Sequence, residues 1–294
     1  MLKRIASGLA VSAVVLLVVL ACGPWPCFLF ALALFYLAQD ELRLLAHAAG
    51  LPTEDVAVPV FGFAYLLAAA LESQCMGVRC WGGGAAPWWL PSSEAVAVIA
   101  PLAFLAVGVL RRKPEKGLER FAVAWASFWY AAILLGFLVK VALRFDSFDH
   151  GKWLLVYGLF VMKMNDVGAY FIGMKFGRNR RRLIPAISPA KSVVGLWGGY
   201  AFALATSLLF AGGAALWNDG RLGAVPLSVG HAVVLGLLLP TAGTLGDLAE
   251  SLLKRSAGVK DSASHIPGIG GVLDMLDSPL FAAPVLYLYV ERFF

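Results

Sequence analysis

The side chains best suited to chemistry are concentrated near the C-terminal end of the sequence, between residues 247 and 277. This stretch of 31 residues contains four aspartates, three cationic residues and four glycines, with apolar runs on both sides. Its aspartates and cationic residues, called here the C-terminal cluster, are Asp247, Lys254, Arg255, Lys260, Asp261, Asp274 and Asp277. So dense a mixture favours a binding or catalytic site over an ordinary solvated connection between helices.

Spacing within the C-terminal cluster places its polar groups on shared helical faces. Residues three and four apart lie on the same side of an α-helix, which groups Asp247, Ser251 and Lys254. Asp274 and Asp277 are grouped in the same way. Mg²⁺ takes oxygen ligands and often binds one or two carboxylates together with substrate phosphates, and nearby cationic side chains bind the phosphate oxygens. We therefore predict a divalent-cation and phosphate site where two helix ends meet a glycine-rich loop.

A second polar group interrupts an apolar run upstream, at Lys163, Asn165 and Asp166. An ionisable residue within a membrane span costs at least ~2.5 kcal/mol on insertion scales, so it usually has a partner or faces a cavity. Lys163 and Asp166 share a helical face and form either a structural ion pair or, with Asn165, the lining of a polar cavity. Gly168, Gly173 and Gly177 would allow another helix to approach closely.

A third polar group, Ser188-Pro189-Ala190-Lys191-Ser192, follows a run of arginines. Pro189 favours a turn, and a helix beginning near Lys191 would offer free N–H groups at its positive end. A lysine and two hydroxyls at such a helix start suit a phosphate group. The arginine run itself is typical of an orientation signal beside a membrane.

These three groups resemble the phosphatidate cytidylyltransferases, also called CDP-diacylglycerol synthases. The C-terminal signature of that family reads approximately S-x-x-K-R-x4-K-D-x5-P-x-H-G-G-x-x-D-R-x-D. The residues in register with it are Ser251, Lys254, Arg255, Lys260, Asp261, Pro267, Gly270, Gly271, Asp274 and Asp277. Upstream, Gly246-Asp247 with Glu250, Asn165-Asp166 with Tyr170, and Ser188-Pro189 with Lys191-Ser192 resemble the family's G-D-x-x-E-S, N-D-T-x-A-Y and S-P-K-K-T-x-x-G segments.

The likeness covers about residues 160–280 in matching order, whereas the first 150 residues resemble the family only in hydropathy. Three positions depart from the pattern: Ile269 replaces a histidine, Met275 replaces an arginine and Ala190 replaces a lysine. The carboxylates are all retained, so the reaction class that the resemblance implies is retained as well. His265 and Arg255 lie nearby in the sequence as substitutes for the missing cations.

The resemblance implies transfer of a cytidylyl group from CTP to phosphatidate, with Mg²⁺ as cofactor and a monovalent cation left open as a second ion. The implied catalytic residues are Asp247, Asp274, Asp277, Lys254 and Asp261, the first three of them as metal ligands. The implied substrate-binding residues are Asn165, Asp166, Ser188, Lys191, Ser192, Ser251, Arg255, Lys260, Gly270 and Gly271. The expected partners are CTP, phosphatidate and membrane lipids, with no nucleic acid, and a homodimer is left open.

Other functions remain as alternatives on sequence grounds. A CTP-dependent lipid kinase, or a cytidylyltransferase for another lipid, would use similar loop chemistry on a different acceptor. A transporter would use Asp166 and Lys163 within the membrane and would not turn over CTP. The substitutions at Ile269 and Met275 also fit an inactive relative with a scaffold role.

The elements that position these groups are membrane helices. Of the 294 residues, 60% are hydrophobic and only 14% are charged, against roughly a quarter charged in soluble domains. A bilayer core of about 30 Å needs roughly 20 apolar helical residues. The sequence therefore predicts an all-α polytopic membrane protein of about nine spanning helices. The runs are 5–22, 26–38, 55–73, 94–110, 121–142, 153–175, 193–216, 228–246 and 279–292.

Lysine and arginine are concentrated in alternate loops of this nine-helix arrangement, which predicts a cytosolic N-terminus and an outside C-terminus. The first run is expected to be a retained helix rather than a cleaved signal peptide. Residues 1–150 are predicted to form about five helices with a short interfacial helix near 39–48, and residues 151–294 the catalytic region. The active site is then expected at the cytosolic ends of the C-terminal helices, in a bacterial inner membrane.

Four cysteines show no metal-binding spacing. Cys75 and Cys80 lie in a loop predicted to be outside, and form either a disulfide or two free thiols.

Overall fold

Helices dominate the computed structural model of the chain, which describes residues 2–73, 91–112, 114–143, 145, 147–177, 180–263 and 270–294, with side chains from residue 10 onward. The helices in these residues are α1 Leu2–Ala21, α2 Pro24–Ala48, α3 Ala57–Leu71, α4 Ser93–Leu110, α5 Gly117–Leu143, α6 Phe148–Phe176, α7 Val193–Trp217, α8 Val229–Ser256 and α9 Leu273–Phe293. Two antiparallel hairpins lie between them: β1 Arg182–Ile184 with β2 Ser188–Ser192, and β3 Arg221–Leu222 with β4 Val225–Pro226.

Among the described residues, six helices are long and apolar enough to cross a membrane: α4, α5, α6, α7, α8 and α9. Residues 57–71 and 10–21 form shorter apolar helices. The prediction of an all-helical chain with several potential membrane spans is therefore confirmed, and the number of nine crossings stays a prediction. The hypothesis of a Cys75–Cys80 disulfide, and the positions His265, Pro267 and Ile269, lie outside the described residues.

The chain forms two compact units. The first contains Met1–Phe148 together with Leu253–Met275, and the second contains Asp149–Leu252 together with Leu276–Phe294. A boundary near residue 150 was expected from the sequence, but the grouping of residues 253–275 with the N-terminal helices was not. The C-terminal cluster is consequently divided between the two units.

Aromatic rings form much of the core of the first unit. Phe128 lies in a wider π-helical turn of α5, and its ring meets those of Tyr65 and Phe104 edge to face, at centroid distances of 6.0 and 5.8 Å. Such edge-to-face pairs are favoured because the ring edge is positive and the ring face negative. Gly62 and Gly136 make room for neighbouring rings, since a Cβ at either position would overlap Phe35 or Tyr65.

The segment predicted as a separate interfacial helix near 39–48 is instead the C-terminal half of the continuous helix α2. Gln39, Glu41 and Leu42 are buried within the first unit rather than turned outward. The polar run in the sequence was typical of an interfacial helix, but its Glu41 carboxyl group accepts hydrogen bonds from protein donors. The burial of Glu41 is complete, at 0% exposure.

In the second unit, α6 and α7 approach each other through glycines, as the sequence predicted for Gly168 and Gly177. A Cβ on Gly168 would lie 2.7 Å from the carbonyl oxygen of Gly198, and one on Gly177 would overlap the Ser192 hydroxyl. Gly246 of α8 approaches the backbone of α9 in the same way, because a Cβ there would overlap the carbonyl oxygen of Asp277. Small residues at such contacts permit tight helix packing in membranes.

We expect Gly198→Ala to destabilise the protein, because the added methyl group would overlap the side chain of Ile172. Overpacking of this kind costs about 1–3 kcal/mol. Gly212→Ala is the matched control on the same helix, since nothing lies within 4 Å of the point that its methyl group would occupy. Thermal unfolding of detergent-solubilised protein should give a lower midpoint for the first variant only, and equal midpoints would contradict the close approach.

Candidate functional site: two carboxylate–lysine clusters

The second unit contains an ion pair between two residues that the sequence singled out separately. Lys191, in β2 just before α7, donates from Nζ to Oδ2 of Asp247 on α8. Both side chains remain partly exposed, at 31% and 26%. A predicted metal-binding carboxylate and a predicted phosphate-binding lysine are thus brought together across 56 residues of sequence.

Two further aspartates of the second unit act electrostatically on this pair. The negative charges of Asp247, Asp166 and Glu250 all act on the carboxyl group of Asp277. The positive charges of Lys163 and Lys191 act on Asp166. Asp166 therefore lies within electrostatic range of Lys163, Lys191 and Asp247, and the choice between a structural ion pair and a polar cavity at this segment stays a prediction. Like charges this close need compensating cations.

Asn165 is buried beside the same helix contact, with 5% of its surface exposed. Its side-chain oxygen has no hydrogen-bond partner, and a Cβ on Gly199 would lie 2.6 Å from it. An unsatisfied buried polar atom costs about 1–3 kcal/mol. Its assignment to the lining of a polar cavity stays a prediction.

Ser192 has a structural use that the sequence did not reveal. Its hydroxyl caps α7 by accepting a hydrogen bond from the Gly195 N–H at 3.1 Å, and the helix begins at Val193, close to Lys191 as expected. An N-cap serine contributes about 1 kcal/mol. Ser188 lies at the other end of β2, opposite Ile184. Ser192 therefore lies at the helix start, whereas Ser188 lies at the far end of the hairpin strand.

Ser251 lies one helical turn after Asp247 on α8, on the shared face that its spacing predicted. Its hydroxyl is 3.5 Å from Oδ1 of Asp247, which is at the outer limit of a hydrogen bond. The contact therefore adds little to the ion pair with Lys191.

The first unit contains a corresponding pair. Lys254 donates from Nζ to Oδ1 of Asp274, and each side chain is only 11% exposed. The second oxygen, Oδ2, accepts from the Ser262 hydroxyl at 2.9 Å and from the Gly271 N–H at 2.8 Å. Asp274 is thus held by a cation on one oxygen and by neutral donors on the other.

Gly270 and Gly271 make room for these carboxyl groups. Gly270 has φ +120°, a conformation that side chains rarely adopt, and a Cβ on it would lie 2.5 Å from Oδ2 of Asp274. A Cβ on Gly271 would overlap the Ser262 hydroxyl and the carboxyl group of Glu41. The glycine pair was predicted to bind substrate, and the contacts give it a further role in positioning acidic side chains.

Glu41 is the residue that sequence reasoning missed. From α2 it accepts hydrogen bonds from the Ser262 hydroxyl at 2.9 Å and from the N–H groups of Val272 and Leu273 at 2.6 and 2.8 Å. Ser262 also went unnoticed as an individual residue, although it directly follows the Lys260-Asp261 pair of the family signature. For Glu41 the available signal was an acidic residue in the short polar run that continues an apolar helix.

The remaining residues predicted for this part of the site lie on the surface. Arg255, Lys260 and Asp261 are exposed. Arg255 donates to the carbonyl oxygen of Val259 at 3.2 Å. In contrast to Lys254, the two exposed cations are available to an incoming anion without breaking a buried ion pair.

The two carboxylate–lysine pairs contain the kind of oxygen ligand that Mg²⁺ takes. Among the residues the structure describes, no group of three or more histidine, cysteine or acidic side chains is arranged to hold a metal ion. A Mg²⁺ ion bound by one or two carboxylates, with phosphate oxygens and water completing its shell, needs no such group. Asp247 and Asp274 supply oxygens of the required kind, each already beside a lysine.

We expect Lys254→Met to destabilise the protein strongly, because it leaves the enclosed Asp274 carboxylate without its cation. Breaking a buried ion pair in this way costs about 3 kcal/mol or more. Arg255→Met, at the next and exposed position, is the matched control. The double variant Lys254→Met with Asp274→Asn should recover most of the lost stability in thermal unfolding, and failure to recover would argue against the pair as the cause.

Comparison with known proteins identifies the family to which the chain belongs. The profile of the cytidylyltransferase family matches residues 2–293. The chain is similar to the phosphatidate cytidylyltransferase of Bacillus subtilis (37% identical over 164 residues, 55% of this chain and 57% of that protein). It is also similar to those of Haemophilus influenzae (40% over 141 residues; 48% and 46%) and Aquifex aeolicus (32% over 191 residues; 64% and 65%). The chain thus spans about half the length of the first two of these curated relatives. The match along almost its whole length shows that the chain belongs to the cytidylyltransferase family.

Proposed function

We propose that this protein transfers the cytidylyl group of CTP to phosphatidate, producing CDP-diacylglycerol and pyrophosphate for phospholipid synthesis. The observation that carries the proposal is the pairing of an acidic residue with a lysine in each unit, Asp247 with Lys191 and Asp274 with Lys254. All four residues belong to the segments that resemble the family. The names of the curated relatives support the same reaction.

The chemistry asks mainly for charge compensation. A phosphate oxygen of phosphatidate attacks the α-phosphorus of CTP, a new P–O bond forms, and the bond to the bridging oxygen breaks as pyrophosphate leaves. The attacking group is already anionic, so no strong general base is required. The obstacle is the approach of two polyanions and the charge that develops on the leaving group, which positioned cations relieve.

The lysines are suited to a change of partner. In the structure Lys191 and Lys254 neutralise carboxylates. When a phosphate-bearing substrate and its cation arrive, each lysine can bind a phosphate oxygen while its carboxylate becomes available as an oxygen ligand. Mg²⁺ held by Asp247 and Asp277 in the second unit, or by Asp274 with Asp261 in support in the first, would supply the charge that stabilises the leaving pyrophosphate.

The remaining polar residues bind and orient substrate in this proposal. Asn165 and Asp166 line the cavity beside Asp247, with Ser188, Ser192 and Ser251 near the phosphate groups. The exposed Arg255 and Lys260 attract the triphosphate of CTP from solution. Gly270 and Gly271 hold the loop that contacts Asp274.

The membrane setting follows from the substrates. Phosphatidate keeps its acyl chains in lipid and presents its phosphate at the interface, whereas CTP arrives from water. A site at the cytosolic ends of α6, α7, α8 and α9 would reach both. Since the relatives are bacterial proteins, we place the chain in a bacterial inner membrane with this site facing the cytosol.

Purified protein incubated with phosphatidate and α-labelled CTP should transfer the label to lipid, because the α-phosphate stays with the cytidylyl group. With γ-labelled CTP the label should appear in pyrophosphate. A CTP-dependent lipid kinase would give the opposite result, with γ-label in lipid, and a transporter would turn over neither. EDTA should abolish transfer and added Mg²⁺ should restore it. Transfer that persists in excess EDTA would contradict the metal requirement.

Asp247→Asn should lower kcat on the order of 10²–10³-fold, as expected when a group that stabilises transition-state charge is removed. Asp219→Asn is the matched control in the same unit, since Asp219 lies in an exposed turn with φ 48° that asparagine also adopts. Steady-state rates of both variants, normalised to folded protein, test the assignment. Equal rates for the two would remove Asp247 from the mechanism.

A further inference from the structure

Glu41 has an environment that its position in an N-terminal helix does not explain. Its side chain is fully buried, and its two oxygens accept three hydrogen bonds from Ser262, Val272 and Leu273. Burying an ionised carboxylate costs several kcal/mol unless donors replace the lost water. The donors here include the first N–H groups of α9, which have no acceptor within the helix. The positive end of the helix stabilises the carboxylate further.

The same few residues are held from the other side by Asp274. Its Oδ2 accepts from the Ser262 hydroxyl at 2.9 Å and from the Gly271 N–H at 2.8 Å. Glu41 also contacts that hydroxyl, at 2.9 Å. A serine hydroxyl has a single proton to donate. The orientation of Ser262 therefore links the two carboxyl groups, one on α2 and one on α9.

We infer that Glu41 is a positioning residue for the proposed reaction. It fixes the start of α9 and the Ser262 hydroxyl, and through them it sets the orientation of the Asp274 carboxyl group and its distance from Lys254. Glu41 acts on these groups through the Ser262 hydroxyl and the backbone N–H groups of Val272 and Leu273. This role rests on the proposed function, since it presumes that Asp274 takes part in catalysis.

Glu41→Gln is the informative substitution. Glutamine has the same size and keeps one acceptor oxygen, but in either orientation its NH₂ group would face a backbone N–H, that of Val272 or that of Leu273. Asp40→Asn is the matched control: it removes the same charge from the adjacent position of α2, where Asp40 is 41% exposed and paired with Arg43 at 2.6 Å. Both variants are measured in mixed micelles of detergent and phosphatidate, with rates normalised to folded protein.

For Glu41→Gln we expect kcat to fall about 10- to 100-fold, the effect typical of residues that orient a ligand-binding side chain by hydrogen bonding. The KM for CTP should change much less than kcat. Hydrogen–deuterium exchange at the amides of Val272 and Leu273 should become faster, which is a readout independent of activity. Asp40→Asn should leave all three quantities unchanged. Faster exchange with unchanged kcat would reduce Glu41 to a structural cap and overturn the inference.

Ser262→Ala provides the second test, and it keeps both hydrogen bonds from the N–H groups of Val272 and Leu273 to Glu41. It should also lower kcat, and the double variant should lose less activity than the product of the two single losses, because both act through one link. A wild-type kcat for Ser262→Ala, or fully independent losses, would overturn the inference. Asp274→Asn distinguishes failure of the proposed function from failure of the role of Glu41. If Asp274→Asn retains activity, the proposed function fails. If Asp274→Asn is inactive while Glu41→Gln is fully active, only the role of Glu41 fails.

Discussion

Several acidic side chains of this protein, among them Glu41, Asp247 and Asp274, lie on helices rich in apolar residues, and an uncompensated carboxylate in such surroundings is costly. Each of these three acids is met by compensation of a specific kind. Asp247 and Asp274 each have a lysine, and Glu41 has the free amides of a helix start. Much of the local architecture can be understood as the means of bringing these donors within reach.

Two kinds of compensation differ in what they allow. A lysine has a long flexible side chain and can move to another anion, so the charge of Asp247 or Asp274 can become available to a cation. The amides that bind Glu41 are fixed in the backbone and cannot leave. The first kind is suited to groups that change partners during a reaction, and the second to groups that must stay in place.

The sequence predicted the apolar helices because hydropathy depends on local composition. It also predicted that another helix would approach α6 closely, because its glycines leave room for a neighbour. It also identified Asp247 and Lys191 as candidates, although only the fold could show that they form a pair. Glu41 was beyond reach because its partners Ser262 and Leu273 lie 221 and 232 residues away. The exposure of Lys260 and the hairpin at Ser188 depended on tertiary context in the same way.

The contact between Gly246 and the carbonyl oxygen of Asp277 has a consequence for the tolerance of the protein to change. Gly246 directly precedes Asp247, so a single dipeptide sets both the separation of two backbones and the location of a charge. Any larger residue at position 246 would push α9 away and carry Asp277 with it. Adjusting this site for a bulkier substrate by mutation would therefore have to begin elsewhere, since a change at position 246 would alter the helix spacing and the spacing of the acids together.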